Sequence, residues 1–116
     1  MSRTHLAIAA AVAALVAVAP AAAAVPKLTG TVGPGFTITL KKAGKKVTKI
    51  PRGRYVITIK DLSGAHNFHL TGPGLNKTTS ISGTGTKTWR VSLRKGTYKY
   101  VCDPHAPIMH GSFKVT

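Results

Sequence analysis

Three residues able to bind a soft metal fall within one eight-residue stretch: Cys102, His105 and Met109. A second imidazole, His66, stands on a separate segment, Ala65-His66-Asn67-Phe68-His69-Leu70. Thiolate suits copper(I), and imidazole suits copper(II). Two imidazoles, one thiolate and a weak thioether are the donors of a mononuclear site that passes single electrons. Such a site needs its donors held still. A strand end with a short loop holds them better than a mobile segment does.

The chain has one Cys, so it forms no internal disulfide. A lone thiol is otherwise buried and inert, paired between chains, catalytic or bound to a metal. Nucleophilic Cys–His pairs draw their His from a distant segment, and a His three residues on is badly placed as the base. A closed zinc site takes more Cys than this chain has. Metal ligation by Cys102 and His105 is therefore the expectation.

His66 and His69 compete for the second imidazole. If residues 65–70 form a strand, the two point to opposite sides. His66 shares the apolar, inward side with Phe68 and Leu70 and is the expected ligand. His69 then faces solvent or lies just outside the site. Met109 is the expected axial donor, against the plainer role of core filler. His110 is expected to be an exposed neighbour.

The elements that must position these residues read as strands. Beyond the front end no stretch keeps a helical period, and short runs alternate with period two between Gly- and Pro-containing turns. Strands are expected over residues 36–40, 47–50, 55–60, 65–70, 78–81, 86–93, 97–102 and 112–115. Seven to eight such strands predict an all-β Greek-key β-sandwich. Phe36, Tyr55, Trp89 and Tyr98 are expected in its core. An exposed apolar rim around His105 is expected from Ala106, Pro107, Ile108, Pro73, Gly74 and Leu75.

Residues 1–24 read as a secretory leader. Arg3 supplies the positive start, residues 6–19 an unbroken apolar run, Pro20 the break and Ala22-Ala23-Ala24 the small-residue cleavage pattern. The folded domain is then residues 25–116, secreted or periplasmic, with no further segment able to span a bilayer. An uncleaved anchor is the alternative.

The chain carries 17 Lys+Arg against 2 Asp+Glu, a formal charge of +15. Such a field attracts anions of many kinds. Export argues against nucleic acid, so the expected partner is an acidic redox protein or an anionic cell-envelope surface. Lys41, Lys42, Lys45, Lys46, Lys49, Arg52 and Arg54 form a dense basic stretch, either a solvated hairpin or a steering patch. A monomer is expected. The only acids, Asp61 and Asp103, offer no carboxylate pair for acid–base work, and no glycine-rich phosphate loop precedes a helix. An enzyme is not expected.

Gly64, His66 and Asn67, followed by Tyr98, Tyr100, Cys102, Pro104, His105, Met109 and Gly111, resemble the plastocyanin branch of the cupredoxins. The resemblance spans residues 25–116 in strand order and is specific in those two motifs. It implies a Greek-key β-sandwich with one copper ion at one end, held by His66, Cys102, His105 and Met109. It also implies that Asn67 ties its segment to the Cys102 loop and that partners dock on the rim around His105. The interval from Cys102 to His105 matches plastocyanins and amicyanins. The interval from His105 to Met109 is one residue shorter than in plastocyanins and one longer than in amicyanins; it equals that of azurins. Loop length sets where the Met sulfur lands. The function so implied is a one-electron carrier. Alternatives are an extracytoplasmic copper buffer or delivery protein, and a cationic interaction protein with an empty site.

Overall fold

The structure is a computed structural model that describes residues 10–14 and 24–116. Most of the expected leader lies outside the described residues. The strands are β1 (Lys27–Val32), β2 (Ile38–Lys42), β3 (Lys45–Lys46), β4 (Lys49–Ile50), β5 (Gly53–Asp61), β6 (His69–Gly72), β7 (Leu75–Thr78), β8 (Gly85–Leu93), β9 (Gly96–Val101) and β10 (His110–Val115). They form two five-stranded sheets, ordered β3-β2-β1-β5-β8 and β4-β10-β9-β6-β7. The all-β sandwich is as expected. The strand count exceeds seven to eight because β1 and the two-residue β3 were not among the expected strands; β4 falls within the one expected at 47–50.

Period-two alternation builds the core. In β5, Tyr55, Ile57 and Ile59 turn inward and the residues between them turn out. Leu28, Val32, Leu40, Val91 and Leu93 complete that layer, against Leu70, Tyr98, Tyr100, Phe113 and Val115 of the facing sheet. Among the described residues, all of these core side chains lie between residues 28 and 115. Gly30 hides β1 from a reading by pattern. It takes an inward position where a Cβ would sit 2.6 Å from Ile59 Cδ1 and 2.9 Å from Phe68 Cε2.

Two expected strands are displaced. Residues 65–68 are irregular, and β6 begins only at His69. Side chains take the backbone groups there. Ala65 N–H donates to Ser63 Oγ at 3.1 Å, and Phe68 N–H to Thr79 Oγ1 at 2.8 Å. The edge strand expected at 78–81 lies instead at β7. The two-residue turn Pro73-Gly74, with Gly74 at φ 66°, returns the chain at once and pairs Gly72 with Leu75. No helix among the described residues is long and apolar enough to cross a membrane.

Candidate metal centre

β9 delivers Cys102 to one end of the sandwich, and a short 3-10 helix, Asp103–His105, turns the chain back. This loop closes on itself. Cys102 N–H donates to Met109 O at 3.0 Å, His105 N–H to Cys102 O at 3.0 Å, and Met109 N–H to His105 O at 2.9 Å. Pro104 stiffens it further. The irregular segment after β5 brings His66 to the same point. Cys102, His66 and Met109 are buried, and His105 is half-buried.

Three donor atoms converge there. His66 Nδ1 and His105 Nδ1 are 3.0 Å apart, and each lies 3.6 Å from Cys102 Sγ. A triangle with those sides has its centre about 2.0 Å from every corner, which is a metal–imidazole bond length. Hydrogen bonds among three such atoms cannot satisfy all their lone pairs at once; a cation at the centre does. The donor set therefore fits a single first-row transition metal with one thiolate and two imidazoles.

Asn67 fastens the two halves of the site together. Its Oδ1 accepts from Asp103 N–H at 2.8 Å. Its Nδ2 donates to Asp103 Oδ2 at 2.8 Å and to Thr78 Oγ1 at 2.9 Å. The side chain is 2% exposed, so these bonds have little competition from water. Asn67→Ala deletes all three and should cost the metal-free protein about 2 kcal/mol, read by urea denaturation. His69 adds an outer clamp. Its Nδ1 meets the Asp103 carboxylate at 3.0 Å, and its Nε2 meets Asn76 Oδ1 at 2.6 Å. Asn76 first, and then Asp103, raise the His69 pKa against the opposing effect of burial. Burial raises the Asp103 pKa, but hydrogen bonds from Asn67 and His69 and the His69 charge outweigh it and leave it lowered.

The family model for copper binding proteins of the plastocyanin/azurin family matches residues 31–116. The chain belongs to that family. Its cofactor is one copper ion, consistent with the His66, Cys102 and His105 cluster. Solved rusticyanin structures share the fold. Reduced rusticyanin at 1.9 Å is 23% identical over 78% of both chains, with a TM-score of 0.58. Rusticyanin from Thiobacillus ferrooxidans at 1.27 Å is 23% identical over 78% of this chain and 76% of that one, with a TM-score of 0.57. The solution structure of reduced rusticyanin is 26% identical over the same shares, also at 0.57. No curated protein matches the chain.

In this cupredoxin His66, and not His69, lies beside Cys102 and His105, but not for the reason that a strand over residues 65–70 would give. His66, Asn67 and Phe68 are all buried in succession, which no alternating strand allows. Phe36 departs from expectation more sharply. It is 62% exposed, outside the core, on the β1–β2 loop. Its ring stands edge-on to His66 at 5.5 Å and to His105 at 5.0 Å. The isolated Gly33-Pro34-Gly35-Phe36 run was the one available signal, an aromatic in a turn with no apolar partner two residues before it. Of the expected rim, Ala106, Pro107 and Ile108 are exposed beside His105. Pro73, Gly74 and Leu75 are not near it. Pro73 lies against Gly96, at the start of β9, whereas Cys102 follows the end of β9.

Proposed function

We propose that this cupredoxin carries single electrons, outside the cytoplasm, through a site formed by His66, Cys102, His105 and Met109. The observation that carries the reading is the triangle of two imidazole nitrogens and one cysteine sulfur, with Cys102 and His66 buried and His105 half-buried. Copper held by these residues would supply a one-electron couple between its +1 and +2 states, exchanged with a redox partner.

The chain's part is to fix the donors. The hydrogen bonds within residues 102–109, and the Asn67 clamp, keep their spacing the same whichever state is present. Burial of Cys102 and His66 keeps water from the centre. His105, edged by Phe36 and the exposed Ala106, Pro107 and Ile108, is the route by which an electron meets a redox partner. Neither acid serves proton transfer there. Asp103 is held by Asn67 and His69, and Asp61 is buried at the end of β5. The leader-like residues 1–24 support an extracytoplasmic setting.

The test is titration of the metal-free protein with copper(II), followed by visible absorption. An intense thiolate-to-copper band supports the carrier. Colourless binding overturns it in favour of a copper buffer. Met109→Leu should keep the band and raise the reduction potential, because a weaker donor set stabilises copper(II) less. A potential unchanged by cyclic voltammetry would reduce Met109 to a core residue.

A further inference from the structure

The sixteen Lys and Arg residues from Lys27 to Lys114 are all exposed. Among the described residues the one ion pair is His69–Asp103, so none of these sixteen has a carboxylate partner. Their distribution is lopsided. The loops at the metal end, residues 33–37, 62–68, 79–84 and 102–109, contain no Lys or Arg. The turns at the opposite end are rich in them: Lys42 and Lys45 beside the β2–β3 turn, Arg52 and Arg54 at the start of β5, and Arg94 and Lys95 between β8 and β9. The chain also enters the fold at that end, through Lys27 of β1, after the one long apolar run of the sequence, residues 6–19.

We propose that the end opposite the metal centre docks on an anionic phospholipid bilayer and leaves the metal end facing away from it. Cations that touch a lipid surface each add to binding, and a ring of them at one end fixes orientation as well as attachment. An acidic redox protein fits worse. The nine residues of β5 separate the basic end from the metal end by about 25–30 Å. A partner steered to the basic end would be held far from His105. A bilayer gains from the same charges without needing the metal. The docking rests on the copper reading only for which end must stay free.

The experiment is sedimentation with vesicles of phosphatidylglycerol and phosphatidylcholine, using the metal-free chain from Val25, which carries all ten described strands. Two charge-matched variants are compared. One carries Lys42→Glu, Lys45→Glu and Lys95→Glu at the basic end. The other carries Lys60→Glu, Lys77→Glu and Lys87→Glu, nearer the metal end. Circular dichroism checks that both fold. The wild type should bind the anionic vesicles and not pure phosphatidylcholine, and salt should release it. The first variant should lose at least tenfold in partitioning, and the second less than threefold. Equal losses would show an effect of net charge alone and overturn the proposal. So would an absence of wild-type binding, or complete displacement from vesicles by polyglutamate at equal charge, which marks a protein-docking surface. Copper titration of the same proteins is read separately. Lipid binding without a thiolate band removes the electron-carrier reading and leaves the docking in place.

Discussion

Cys102→Ala should abolish the intense thiolate-to-copper absorption completely and lower copper(II) affinity by more than 100-fold. The chain has a single Cys, so no other thiolate can supply such a band. The affinity figure follows from the donor count. Loss of a group that merely hydrogen-bonds a ligand costs about 10–100-fold, and loss of a ligand costs more. The substitution should leave the fold intact. Cys102 is fully buried, and its alanine variant loses one sulfur atom's contacts, about 1 kcal/mol. Colour loss in a cooperatively folded variant is therefore chemical and not the result of unfolding. Cys102→Ser sharpens the test by restoring size and a hard oxygen donor without sulfur. It should remain colourless. A still-blue Cys102→Ala protein would end the copper–thiolate reading.

The meeting of Cys102 and His105 was legible because it is local. The two share one loop, and their types and interval limit what that loop can do. Period-two alternation likewise exposed β5 and β9, where one face is buried along the strand, and β8, where burial alternates from Trp89 onward. What escaped was set by contacts between segments distant in sequence. β1 carries Gly30 where a side chain would signal a strand, because Ile59 and Phe68 fill that space. Residues 65–68 have strand-like composition, yet Ser63 and Thr79 side chains take their amide protons and free His66 from the alternation of a sheet. Phe36 is apolar and so reads as core. The β1–β2 loop carries it instead to the rim, against the two imidazoles. The rim itself was half legible. Ala106 to Ile108 follow His105 in the chain, but the place of Pro73 depends on the direction of β6, which only the register with β9 fixes.

Gly111→Ala should cost about 3 kcal/mol and lower Tm by about 10–20 °C. Gly111 pairs directly with Tyr100 across β9 and β10, and a Cβ there would come within 2.5 Å of Tyr100 Cε2. The ring has nowhere to go. It is 2% exposed and stacked on Phe68, with centroids 5.5 Å apart and planes 8° from parallel. Gly72→Ala sets up the same collision with Tyr98, whose ring stacks on Phe113 at 5.3 Å, but at the opposite end of the sheet. The two variants should therefore lose similar stability and differ at the metal. Gly111 lies two residues after Met109, and Phe68 follows Asn67 directly, so displacement of Tyr100 reaches both segments that hold the donors. Copper affinity should fall in Gly111→Ala and hold in Gly72→Ala, at a temperature where both are folded. Adding Tyr100→Leu to Gly111→Ala makes room for the new methyl, and the double variant should be more stable than the sum of the single losses predicts. Strict additivity would mean that the Tyr100 ring is not what the methyl strikes.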